Sequence, residues 1–274
     1  MENKKIKINV IETGSVKVSA AIPDKSAKRW KYAYTGLFQG NKSRITVPVK
    51  CFLIEMNNKK ILIDAGWSEE CLTHPIRHLT FPLWFSSIPV ITEKETLKNQ
   101  LKEKNIKIEE IDYVLMTHLD VDHVSGLRDV KQAGKFYVSP EESDEKNINT
   151  IRYNKNFWKG INFDYYQWTS DKEAPFGKSM DFFGDGSIII YYTPTHSTGL
   201  TLIKIVNGEN FILITGDNAY NRKSWEEERL PGVIYNEENA RHILKWIKEQ
   251  SKNENCKAIL TSHDGEEKSK EFYL

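Results

Sequence analysis

Residues 117–123 read Thr117-His118-Leu119-Asp120-Val121-Asp122-His123 and set four potential metal ligands within six residues, 118–123. The stretch follows Tyr113-Val114-Leu115-Met116, an apolar run of the kind that forms a buried strand, and leads into a Gly-containing segment able to open a helix. Two imidazoles and two carboxylates delivered to one strand end make a poor core. They make a good cage for divalent ions, because imidazole nitrogen and carboxylate oxygen both suit zinc, manganese and iron. The competing reading is a polar strand-to-helix turn in which His118 caps and the aspartates are solvated.

Four further segments repeat this local setting and weigh against the turn. Asp64 ends Ile61-Leu62-Ile63-Asp64 and is followed by Ala65-Gly66; His196 lies shortly after Ile188-Ile189-Ile190. Asp217 ends Phe211-Ile212-Leu213-Ile214-Thr215-Gly216-Asp217, and His263 ends Ala258-Ile259-Leu260-Thr261-Ser262-His263. One His or Asp at the carboxyl end of an apolar strand is an ordinary turn residue, but a repeated pattern is hard to explain as turns. In sheets flanked by helices, chemistry collects where strand ends and their loops converge. His74, His78 and His242 lack this setting, and His242 falls within an expected helix, which points to a structural role.

In this order, Asp64, the block from His118 to His123, His196, Asp217 and His263 resemble the motifs of the metallo-β-lactamase superfamily. Within it the chain is similar to the N-acyl-homoserine lactonase branch. The segment Val47-Pro48-Val49-Lys50-Cys51-Phe52-Leu53-Ile54-Glu55 running into Ile61–Gly66, the position of Tyr220 three residues after Asp217, and the ending Ser262-His263-Asp264 with Glu266-Glu267-Lys268 add to the likeness. The resemblance implies a four-layer αββα sandwich and two divalent metal ions, zinc first, with manganese or iron as alternatives. It implies His118, Asp120, His196 and a shared Asp217 at one metal, and Asp122, His123, Asp217 and His263 at the other. Asp64 would orient ligand imidazoles from outside, as outer carboxylates commonly do. The implied activity is hydrolysis of a cyclic ester by a hydroxide held between the ions. Tyr220 would donate to the developing oxyanion, and Asp122 would carry the proton to the leaving alkoxide.

One position departs from the family block, which usually reads His-x-His-x-Asp-His: Asp120 stands where the middle histidine is expected. A carboxylate makes the cluster one unit more negative, which weakens it as a Lewis acid and tilts it toward harder ions. Alternatively Asp120 is a shorter, displaced ligand that leaves the chemistry intact. A carboxylate here also resembles the di-iron members of the superfamily, so an oxidoreductase-like protein is a rival reading. Thioester or phosphodiester hydrolysis, and a binding protein with an impaired site, are others.

The chain has 274 residues, is 39% hydrophobic and carries a formal net charge of +1, which permits a large core and gives no long-range pull on nucleic acid or anionic membrane. A small-molecule substrate is the expected partner. The basic run Lys25–Arg29 reads as a solvated loop. Three widely spaced cysteines argue against a disulfide framework. The N-terminus alternates lysine with isoleucine and lacks an apolar signal core, and no segment is long enough to span a membrane, so a cytoplasmic enzyme is expected.

Apolar or alternating runs predict strands at 6–11, 51–56, 61–64, 112–117, 135–139, 187–193, 200–206, 210–216 and 257–262. Helices are expected at 93–104, with a Thr92/Glu95 capping box, and at 237–250, capped by Asn236. No linker divides the chain, so one domain over 1–274 is expected. Residues 67–91, rich in Trp, Phe and Pro, show neither period. They read equally as a pocket-covering insertion and as a loop packed on the core or on a partner copy, which leaves a homodimer open. Residues 157–183 are dense in aromatics and suggest, with 67–91, a cleft with apolar walls.

Overall fold

The computed structural model describes residues 5–28, 30, 32–36, 41–267 and 270–274; Arg29 of the basic run and Lys268 of the C-terminal motif lie outside them. The first sheet takes strands β1 (Lys7–Ser19), β2 (Arg44–Met56), β3 (Lys59–Ile63), β4 (Ser87–Val90), β5 (Tyr113–Leu115), β6 (Lys135–Val138) and β7 (Phe163–Tyr165). The second takes β8 (Thr169–Ser170), β9 (Lys178–Asp181), β10 (Ile188–Tyr192), β11 (Thr201–Asn207), β12 (Asn210–Ile214) and β13 (Cys256–Leu260), after which β14 (Glu271–Tyr273) returns to the first sheet. Their orders are β14-β1-β2-β3-β5-β6-β7, with β4 on the far half of β1, and β13-β12-β11-β10-β9-β8. In the first sheet β3, β5, β6 and β7 run parallel; in the second β12 and β13 do.

The near-continuous apolar runs arise because most strands are covered on both faces. Successive side chains alternate between the two. Ile61 and Ile63 enter the layer between the sheets, where they meet Ile188, Ile190, Ile203, Ile212 and Ile214. Leu62, Val114 and Met116 point outward beneath Leu97 and Leu101 of the helix Leu97–Glu103. Phe211, Leu213 and Leu202 point outward from the second sheet against Ala240, Ile243, Leu244 and Ile247. Those last four, at i, i+3, i+4 and i+7, are the buried stripe of the helix Glu237–Gln250. Each large one contributes roughly 1.5–3 kcal/mol of burial. Asn236 caps that helix as expected, its side chain accepting from the Asn239 amide at 3.0 Å. Helices thus flank both outer faces of the two packed sheets, which is the four-layer sandwich.

The first helix starts later than expected. The Thr92/Glu95 box forms, but it caps only the 3-10 turn Glu93–Glu95, because Thr96 takes an extended ψ of 139° and becomes a second N-cap. The aperiodic stretch 67–91 is structured after all. It folds as three short helices, Glu70–Thr73, Pro75–Leu79 and Phe81–Ser86, before β4. The chain changes direction at His74 and again at Thr80, whose φ is +71°, so no single period survives. The expected strand at 112–117 is one only over β5, because residues 116–117 already turn toward the site. All three cysteines are free thiols. Among the described residues no helix is long and apolar enough to cross a membrane.

Candidate metal centre

The five ligand-bearing segments leave the carboxyl ends of β3, β5, β10, β12 and β13 and meet at one end of the two sheets. Backbone bonds lock this convergence. The amides of Ala65 and Gly66 both donate to the His123 carbonyl, at 2.8 and 3.2 Å, so the end of β3 is tied to the ligand loop after β5. Asp64 sits at φ +58° to aim its side chain into that loop. Gly66 follows at φ +62°, where a Cβ would lie 2.0 Å from Thr13 Oγ1. The positive φ and the close approach of Thr13 each require glycine at this point.

Three groups of ligand-type side chains form, each with its ligand atoms within 4.8 Å of one another: His118, Asp120 and His196; Asp122, His123 and His263; and His118, His123 and Asp217. Asp217 bridges the two sides. Its Oδ1 lies 3.2 Å from Nε2 of both His123 and His263, and its Oδ2 lies 3.9 and 3.8 Å from Nε2 of His118 and His196. Asp122 Oδ2 is 3.7 Å from His263 Nε2, and Asp120 Oδ2 is 2.7 Å from His196 Nε2. Every residue expected as a ligand is therefore gathered at this end. His74, His78 and His242 join no such cluster among the described residues; His242 Nε2 instead faces the Pro175 carbonyl at 2.8 Å.

The Nδ1 atoms fix which nitrogen each imidazole offers. His123 Nδ1 donates to Asp64 Oδ2 at 2.7 Å, His196 Nδ1 to the Val233 carbonyl at 3.0 Å, and His263 Nδ1 to the Pro48 carbonyl at 2.8 Å. His118 Nδ1 lies 3.0 Å from Thr117 Oγ1, whose own proton goes to Asp64 Oδ2 at 2.7 Å. All four Nε2 atoms consequently point inward. Those of His118, His123 and His263, with Asp217 Oδ1, are buried and make no hydrogen bond. Orphaned buried polar atoms are rare in native proteins, and this set is the donor chemistry of divalent-metal sites. The residues fit metal ions.

Electrostatics agree. Burial opposes charge on His123 and His263, but Asp217 in both cases, with Asp64 for His123, outweighs it and holds these imidazoles above their usual range. Burial likewise pushes Asp217 up, and His263 and His123 more than reverse it, so its carboxylate stays ionised. The carboxylates draw positive charge to this spot, as a proton or as a metal ion. Burial, then Asp217, Asp122 and Asp120, push the Tyr220 phenol well up, so it remains an O–H donor. Its ring stacks on His263 with centroids 5.1 Å apart.

A cavity of about 830 Å³ opens onto the cluster. Asp120, Asp122, His196, Asp217, Tyr220 and His263 form its floor. Val16, Val18, Ile22 and Val47 line one wall, and Phe81, Pro82, Leu83 and Phe85 line another. Of the 67–91 segment, residues 81–83 and 85–87 reach the cavity, whereas Trp67, Cys71 and Leu79 pack into the core. The aromatics of 157–183 do not line it: Phe182 and Phe183 pack edge-on against Tyr113, and Trp168 packs against Tyr166 and Tyr192. They sit just past the ends of β7 and β9 or just before β8, and pack against aromatics of the sheets instead of the cavity. Lys28, read as part of a solvated run, lines the cavity instead.

Two residues essential to the geometry carried no motif. Glu142 is fully buried and accepts four hydrogen bonds: Leu119 N and the Tyr153 hydroxyl on Oε1, at 3.0 and 2.9 Å, and the Ser197 hydroxyl and Gly199 N on Oε2, at 2.6 and 3.2 Å. It ties the His118 loop to the His196 loop. Arg152 places Nε 2.5 Å from Asp120 Oδ1 and Nη2 2.9 Å from Asp120 Oδ2. Burial pushes the Asp120 carboxyl up, but Arg152, with His118 and His196, holds it well below the usual carboxylate range. The expected excess negative charge at Asp120 is therefore cancelled locally. In the sequence Glu142 is one of several acidic residues in Glu141–Glu145 and Arg152 one basic residue in a polar stretch, so neither stands out.

Residues 44–251 match the model of the metallo-beta-lactamase superfamily. The N-acyl homoserine lactonase AttM of Rhizobium radiobacter is 25% identical over 252 residues, covering 86% of this chain and 90% of that protein. An N-acyl homoserine lactonase of Bacillus cereus is 26% identical, covering 75% of this chain and 77% of its own length. Among solved structures, an N-acyl homoserine lactone hydrolase with the product N-hexanoyl-L-homoserine at its catalytic metal centre aligns with a TM-score of 0.73 at 22% identity, covering 95% of this chain and 94% of that one. The dizinc quorum-quenching lactonase AidC aligns with a TM-score of 0.64 at 14% identity, covering 98% and 94%. These structural likenesses bear on the fold.

Proposed function

The chain belongs to the metallo-beta-lactamase superfamily, and on that footing we propose that it is a binuclear metal-dependent hydrolase that opens lactones of the N-acyl-homoserine type. The observation that carries this reading is the inward-facing, unpartnered set of His118, His123 and His263 Nε2 around Asp217, at the floor of an apolar-walled cavity. His118, Asp120 and His196 would hold one ion, Asp122, His123 and His263 the other, with Asp217 between them; zinc is the first expectation. Two such ions supply Lewis-acid polarisation of a carbonyl and a hydroxide nucleophile at neutral pH.

The chain's own groups do the rest. The walls around Val18, Val47, Leu83 and Phe85 suit an acyl chain and exclude water from the floor. Tyr220, held protonated, donates a hydrogen bond where negative charge grows on the carbonyl oxygen. Asp122, half-buried at the cavity floor, accepts a proton and returns it to the leaving alkoxide.

The test is a parallel assay of purified, metal-analysed protein on N-acyl homoserine lactones of graded chain length, a thioester and a phosphodiester. Preference for the lactones by tenfold or more in kcat/KM is expected. A phosphodiester or thioester turned over faster than every lactone would replace the substrate assignment.

A further inference from the structure

Asp120 brings a negative charge to a position where the family block usually carries a neutral imidazole, and Arg152 meets it with two parallel hydrogen bonds. This planar fork is the strongest geometry by which a side chain grips a carboxylate. It occupies one side of Asp120 and leaves Oδ2 facing the metal side, 2.7 Å from His196 Nε2 and 3.6 Å from His118 Nε2. Arg152 is itself held in place. Its amide donates to Asn149 Oδ1 at 3.1 Å, its guanidinium lies 5.4 Å from the Tyr153 ring, and its Nη1 approaches the His196 carbonyl at 3.5 Å. One cation therefore touches two residues of the same candidate metal side.

We propose that Arg152 and Asp120 act as one unit in place of the block's middle imidazole, with Arg152 as the positioning residue that aims Asp120 at the His118–His196 side and cancels its charge. This inference rests on the binuclear reading above. Neither residue is replaceable alone. Asp120→His leaves Arg152 as a half-buried cation beside a bound ion, with no carboxylate gripped in its fork. Arg152→Met leaves the carboxylate free to rotate away from the imidazoles. Replacing both restores the usual motif and removes the stranded charge.

The experiment measures zinc stoichiometry by elemental analysis after dialysis, and zinc affinity by competition with a chromophoric chelator. It compares the full chain with Asp120→His, Arg152→Met and the double variant. The expected result is that each single variant binds one of two zinc ions at least tenfold more weakly, while the double variant returns to within about threefold of the parent. A double variant that binds no better than the weaker single overturns the proposal, as do single variants with parental affinity. If Arg152→Met does not fold by circular dichroism, Asp120→His against the double decides alone. A parent chain that takes up only one zinc or none would instead defeat the binuclear reading.

Discussion

One oxygen of Asp64, Oδ2, lies 2.7 Å from His123 Nδ1, and the same oxygen takes the proton of the Thr117 hydroxyl that holds His118. A single carboxylate thereby sets the orientation of two imidazoles on opposite sides of the cluster. Because Asp64 sits at φ +58°, an asparagine tolerates its backbone while losing the charge. Asp64→Asn should weaken zinc binding roughly 10–100-fold, the usual scale for an outer carboxylate. Chelator competition showing parental affinity in this variant would remove Asp64 from the metal framework.

Tyr220 should matter to turnover more than to metal. Its hydroxyl faces carboxylates at the cavity floor, while its ring packs on His263, which phenylalanine can also do. Tyr220→Phe should lower kcat by about tenfold to a thousandfold, the scale of a lost oxyanion donor. Zinc content should stay at the parental ratio. Parental lactone kinetics would exclude the donor role.

Glu142 is the strongest candidate for a structural keystone. Alanine there strands two backbone amides and two hydroxyls in a buried region. Leaving several buried donors unpaired costs roughly 1–3 kcal/mol each. Glu142→Ala should therefore destabilise the fold by at least about 3 kcal/mol in urea unfolding and reduce zinc uptake, since both ligand loops lean on it. A variant within about 1 kcal/mol of the parent, the scale of one lost hydrogen bond, would contradict this.

Asp129, which belongs to none of the ligand groups, supplies a pH signature of its own. Burial first, then the charges of Glu69 and Glu70, push its carboxyl up to about 6, against the hydrogen bonds it accepts from Ser68 Oγ and Glu69 N. An acid whose folded pKa is raised binds its proton more tightly when folded, so its contribution to stability falls as pH rises through that window. Relative to Asp129→Asn, the parent should lose about 2–3 kcal/mol of stability between pH 4 and pH 6. Paired unfolding curves with a constant difference across that range would refute the shift.

The ligand positions were legible in the sequence because each follows an apolar strand, and a strand end has little reason to carry His or Asp unless something is gathered there. Strand identities were legible for the same reason, although two-faced burial hid which residue points to which layer: Ile212 and Leu213 look alike in the chain and face opposite cores. What escaped was long-range pairing. Glu142 reaches Leu119, Ser197 and Gly199, and Arg152 reaches Asp120, across 23 to 57 residues, and nothing local marks a charged residue as bound for burial. The same limit hid the pocket role of Lys28 and the cavity-facing side of the helix Phe81–Ser86.

The candidate ligands come from both sheets, Asp120, Asp122 and the imidazoles of His118 and His123 from the first, His196, Asp217 and His263 from the second. Ions shared between them would act as rivets through the interface of the sandwich, and neither half would retain them alone. Separating the two layers would then require breaking coordination. Amide hydrogens in β11, β12 and β13 should accordingly exchange more slowly when zinc is present.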